Sequence, residues 1–113
     1  GKVNEAFLAI EVEKYEDDNL SVGLQILKDV NYIIKNFEEV ETQSTKLLAE
    51  LTQLPDSDWG SYFYGKPISS RWLANRLRPY GIRPIKQMYY NVYKISDFKD
   101  AIKRYLPYFH MTA

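Results

Sequence analysis

Five prolines, at positions 55, 67, 79, 84 and 107, all fall after the first 54 residues. Each fixes φ and lacks an amide proton, so each is a place where a helix must start, kink or stop. The stretch before Pro55 is free to form long helices, whereas the stretch after it is restricted to short elements joined by turns. In 113 residues there is room for one core, which buries roughly two thirds of the surface an unfolded chain of this size exposes. A mostly α domain with short pieces in its second half is therefore expected.

The apolar spacing fills in that outline. Val3, Phe7 and Ile10 predict a leading helix over residues 3–15, followed by the acidic loop Glu16-Asp17-Asp18, so residues 1–18 are set apart from the rest. Asn19 caps a second helix reaching about Asn36, in which Leu20, Leu24, Leu27, Ile34 and Phe37 recur. After a Glu-rich loop, Thr42 or Ser44 caps a shorter helix carrying Leu47, Leu48, Leu51 and Leu54, and Pro55 stops it. Residues 55–68 mix turn formers with aromatics and predict an ordered connection pinned by Trp59 and Phe63. Ser69 then caps the helix SRWLANRL, which Pro79 and Gly81 end. IKQMYY and NVYKI predict a small β-hairpin. Ser96 caps a last helix with Phe98, Ile102, Tyr105 and Leu106 inward, terminated by Pro107 and followed by a tail over residues 108–113. Four to five helices and one hairpin in this order give a winged helix-turn-helix over residues 19–107.

Composition removes several functions. With no cysteine, disulfides, thiolate metal sites and cysteine nucleophiles are excluded, and a reducing, cytoplasmic setting is expected. No apolar run approaches the roughly 20 residues of a membrane span. The chain opens on Gly1 rather than methionine and is expected to be a piece of a longer protein. Gly60-Ser-Tyr-Phe-Tyr-Gly65-Lys66 has the spacing of a phosphate loop, but Pro67 stands where a hydroxyl must reach magnesium, so no nucleotide site is assigned. His110 has no second histidine with which to build a metal shell or a triad. Glu16-Asp17-Asp18 lacks the alternating ligands of a calcium loop. No catalytic residue, cofactor, metal or small-molecule substrate is expected.

Charge points elsewhere. The formal net charge is zero, yet up to Gly65 five lysines face thirteen carboxylates, a balance of −8, and from Lys66 onward ten Lys or Arg face only Asp97 and Asp100, a balance of +8. Such asymmetry marks the later part as the footprint for a polyanion. On a helical wheel Leu73 and Leu77 share a face with Tyr80, while Arg71, Asn75 and Arg78 lie opposite. Arg can fork onto guanine and Asn onto adenine, so these three are candidates for base edges. Lys66, Ser69, Ser70, Arg76, Arg83, Lys86 and Lys94 are candidates for phosphate. Of the ten tyrosines, Tyr89, Tyr90 and Tyr93 lie within the basic part and could stack on unpaired bases, although core packing accounts for most tyrosines.

The words Trp59, Gly65-Lys66-Pro67-Ile68-Ser69, Leu73-Ala74, Leu77-Arg78-Pro79-Tyr80-Gly81-Ile82-Arg83-Pro84, Tyr93-Lys94, Asp97-Phe98 and Arg104-Tyr105-Leu106 resemble a domain family of unknown function. Asp17-Asp18-Asn19-Leu20-Ser21-Val22-Gly23 and Leu27-Lys28-Asp29-Val30 extend the resemblance over roughly residues 16–107. That family occurs in proteins of phages, plasmids and other mobile elements, often beside a helicase- or primase-type ATPase. The resemblance implies a DNA-binding appendage to a replication ATPase, with duplex or forked DNA and the ATPase of the same parent polypeptide as partners. IKQMYYNV is shorter and less basic than the hairpin usual in that family, which puts minor-groove contact by the wing in doubt. The alternatives are a winged helix used for protein docking or oligomerisation, and a magnesium-dependent carboxylate enzyme, which the scatter of Asp and Glu disfavours.

Overall fold

The computed structural model describes the backbone of residues 22–112 and the side chains through Leu106. The helix expected over residues 3–15, the acidic loop Glu16-Asp17-Asp18 and the Asn19 cap lie outside the described residues. Helix α1, residues 22–34, turns Ile26, Leu27, Val30, Ile33 and Ile34 into the core at three- and four-residue intervals. Near its start Gly23 touches the buried Tyr80, where an added Cβ would meet the ring at 2.5 Å. Only a residue without a side chain allows that approach.

The Glu-rich stretch expected to be a loop contains a strand. β1, Glu41–Gln43, pairs antiparallel with β3, Asn91–Lys94, in the register Glu41↔Lys94, Thr42↔Tyr93 and Gln43↔Val92. Three residues with a single buried side chain carry too little alternation to be recognised, and the partner that makes them a strand lies far along the chain. Helix α2, Ser44–Thr52, follows without a break, so Ser44 is already helical and Thr42 lies in the strand. Neither caps; the N-cap position is Gln43 and carries no side-chain hydrogen bond. Leu47 and Leu51 are fully buried, and the helix ends at Thr52, just before Pro55.

A 3-10 turn at Trp59–Ser61 buries Trp59, whose Nε1 donates to Asp29 of α1 at 2.6 Å and so pins the connection as expected. Helix α3, Ser70–Leu77, runs into a second 3-10 turn, Arg78–Tyr80, where Gly81 (φ 78) closes it by donating to Arg78 O. The hairpin forms from β2, Ile85–Lys86, and β3, with Ile85↔Val92 and Lys86↔Asn91 opposed. The three-stranded antiparallel sheet has the order β1-β3-β2.

Helix α4 spans Ile95–Thr112, which corrects the sequence expectation at both ends. It starts directly at the end of β3, placing Ser96 inside the first turn rather than at a cap. It also passes through Pro107, because a proline removes one i→i−4 hydrogen bond and can be accommodated within a helix instead of ending it. Phe98, Ala101 and Leu106 are buried, and Ile102 and Tyr105 pack half-buried beside them. Tyr105 meets Tyr80 edge-on at 4.9 Å, and Phe98 meets Tyr93 at 5.4 Å. The described residues thus form a mostly helical domain of four helices and a small antiparallel sheet around one core.

Among the described residues, one buried polar atom lacks a partner: Thr42 Oγ1 makes no hydrogen bond. An unsatisfied buried hydroxyl costs about 1–3 kcal/mol. Thr42→Val keeps the shape and removes the orphan, so it raises stability by about 1 kcal/mol, read as a higher urea midpoint at unchanged slope.

Candidate nucleic-acid interface

Helix α3 is fixed at its start and along one side. Ile68 is buried and its N–H donates to Trp59 O at 3.0 Å, which sets the entry into the helix. Ser69 then accepts from the Trp72 N–H at 3.1 Å, the cap expected from the sequence. Leu73 and Leu77 are fully buried, and Tyr80 in the following turn is buried with them. A helix anchored by residues four apart cannot rotate about its axis, so its opposite side must face solvent. Arg71, Asn75 and Arg78 are all exposed there, as the wheel predicts, and none of them makes an ion pair among the described residues.

The phosphate candidates are placed less uniformly. Lys66, Arg83, Lys86 and Lys94 are exposed, but Lys94 lies opposite Glu41 across the β1–β3 ladder, which offsets part of its charge. Ser69 has its oxygen engaged as the cap, and Ser70 is half-buried in the first turn. Arg76 is half-buried with its guanidinium 5.3 Å from the Trp72 ring centre. That geometry is a cation–π contact and holds the charge flat against the helix.

Among the tyrosines put forward for stacking, Tyr93 is corrected: it is 1% exposed and belongs to the core. Burial pushes its phenol up to about 12. Tyr89 and the adjacent Met88 are instead 88% and 82% exposed at the hairpin tip, where Gln87 N–H donates to Tyr90 O at 2.7 Å, and Tyr90 is about half exposed.

The turn leading into α3 is a feature the sequence reading passed over. Phe63 and Lys66 exchange two backbone hydrogen bonds, at 2.9 and 3.0 Å, around Tyr64 and Gly65. Both central residues have positive φ, 52 and 90, the signature of a type I′ turn. The rings of Tyr62 and Phe63 rest on Trp72 with centroids 5.1 and 5.6 Å away, so the turn is bonded to α3 through aromatic contacts. A Tyr-Gly pair flanked by β-prone residues was the available signal; tyrosine at a position that favours asparagine obscured it.

Asp29, Asp56 and Asp58 line a cleft of about 320 Å³ beside Trp59, and Asp29 there is engaged by the Trp59 indole. The ion pair found among the described residues, Lys46 with Glu39 at 3.9 Å, involves none of the α3 cations. No helix of the described residues is long and apolar enough to cross a membrane.

Two consequences can be measured. Ser69→Ala removes the cap and costs about 1 kcal/mol in thermal unfolding. Raised phenol values mean that Tyr93, and Tyr80 by burial and then by its neighbour Tyr105, stay neutral in the fold while the unfolded chain ionises near pH 10. Stability is accordingly held below pH 10 and falls between pH 10 and about 12, by roughly 2 kcal/mol for Tyr93. Tyr93→Phe removes the greater part of that alkaline loss in urea midpoints measured against pH.

The family model described as protein of unknown function (DUF3631) matches residues 3–105. No curated protein and no solved structure matches the chain. With its model covering nearly the whole sequence, the chain belongs to the DUF3631 family.

Proposed function

We propose that this chain is a DNA-binding winged-helix domain of a mobile-element replication protein, acting beside a helicase- or primase-type ATPase and contacting duplex or forked DNA through α3 and the β2–β3 hairpin. The order α1, β1, α2, α3, β2, β3, with the first strand closing a sheet of order β1-β3-β2, supports the winged-helix assignment. In helix-turn-helix proteins the second helix of the motif enters the major groove and its N-terminal residues meet the bases. An α-helix with its side chains is about 10–12 Å across, which is what lets one such as α3 enter a groove about 12 Å wide.

The observation that carries the proposal is the solvent-facing Arg71, Asn75 and Arg78 on a helix whose other side is locked by Leu73 and Leu77. From Arg71 to Arg78 the helix rises about 10 Å, or roughly three base steps. Arg83 and Lys86 bracket the start of the hairpin and would reach phosphate.

Salt titrations of binding to duplex, single-stranded and forked oligonucleotides test this. Arg71→Ala or Asn75→Ala costs about 1–3 kcal/mol on a preferred site and relaxes discrimination there. Arg83→Ala or Lys86→Ala weakens all sequences alike and lowers the salt slope by about one. Equal affinity of wild type and an Arg71→Glu/Arg78→Glu variant for every DNA tested refutes the assignment, and absence of salt-sensitive binding favours a protein-docking role.

A further inference from the structure

We propose that the Phe63–Lys66 turn is a base-stacking point, in which the Tyr64 ring takes the face of an unpaired nucleotide next to bound duplex and Lys66 meets its phosphate. This deepens the DNA-binding reading of α3 and rests on it. Tyr64 is 104% exposed, so its ring packs on none of the described residues. Its backbone nevertheless occupies φ 52, a left-handed conformation that a bulky residue adopts only at a cost. The ring thus brings no packing to offset the strained backbone beneath it. An asparagine would satisfy the same turn more easily.

The base of the turn is rigid. Reciprocal hydrogen bonds join Phe63 and Lys66, and the Gly65 N–H donates to Ser61 O at 3.1 Å. Phe63 stands edge-on to Tyr62 at 5.0 Å and to Trp72 at 5.6 Å, so the residue before Tyr64 is seated on α3 at Trp72. Trp72 carries Arg76 over its ring. A projecting aromatic in one turn with Lys66, on a support held against α3 by hydrogen bonds and ring contacts, is the arrangement that single-strand binders use: cations follow the backbone and an aromatic face takes the base. A protein partner offering an apolar pocket would have to desolvate the Lys66 cation of the same turn. A nucleotide pairs with both the ring and the charge.

The test compares blunt duplex, the same duplex with a single-stranded extension, and the same extension made abasic, at one salt concentration. Wild type should bind the extended duplex roughly tenfold more tightly than either control, within the range measured for one stacked base. Tyr64→Asn should lose that preference, keep its affinity for blunt duplex, and melt at the same or a higher temperature because Asn-Gly suits the turn. Tyr64→Phe should retain the preference. The stacking role is overturned if wild type fails to distinguish the base-bearing extension from the abasic one, or if Tyr64→Asn keeps the preference. Duplex binding that depends on Arg71 and Arg78 with no effect at Tyr64 removes the stacking role alone, and absence of any DNA binding by wild type removes both.

Discussion

Burial of Leu73 and Leu77 is the constraint on which the rest of the surface depends. Two leucines one helical turn apart, each with no exposed area, contribute several kcal/mol of apolar burial between them. That is large against the stability of a typical domain, so the rotation of α3 is settled by the core and not by whatever meets its outer face. Polar residues at the remaining helical positions have no choice but solvent. The orientation of Arg71, Asn75 and Arg78 is a by-product of hydrophobic packing, and it exists before any ligand arrives.

The connection ahead of α3 adds to that rigidity. Trp59 is buried and tied to Asp29 of α1, its carbonyl accepts from Ile68, and the ring cluster of Tyr62, Phe63 and Trp72 spreads from it across the start of α3. A link of this length without regular structure would ordinarily be mobile. Here aromatic area and two short hydrogen-bonded turns replace the helix that Pro55 and Pro67 discourage. The entry to the helix is consequently as fixed as the helix.

What could be seen in the sequence follows from where each signal lies. The α3 segment was legible because its determinants are local: Ser69 caps, Leu73 and Leu77 set the face, and Pro79 with Gly81 ends it within a dozen residues. β1 was not, since Glu-Thr-Gln becomes a strand only by pairing with β3, which puts Thr42 in the strand and leaves Ser44 already helical instead of at a cap. Pro107 misled for the opposite reason, a local rule overridden by a helix already under way. Tyr93 was one of the rings that could have stacked because it lies in the basic part of the sequence, yet its place in β3 opposite the buried Thr42 of β1 put it inside, next to the equally buried Val92. Among the site residues, charge and wheel position identified the exposed face of α3, but nothing short of coordinates separated the stacked Arg76 from its free neighbours.

The opposite charges of the two parts of the chain invite the view that they exist to hold each other. Among the described residues the carboxylates Asp29, Asp56 and Asp58 gather around a cleft beside Trp59, and the α3 cations make no ion pairs with them. Exposed pairs would in any case contribute at most about 1 kcal/mol each, less than one well-buried leucine. The fold therefore has little to gain from neutralising Arg71 and Arg78, and leaving them solvated costs it little. A polyanion gains more from the same groups, since each phosphate neutralised releases condensed counterions that a protein carboxylate does not carry. On the proposed reading, the core supplies stability and the α3 cations, which make no ion pair among the described residues, serve binding.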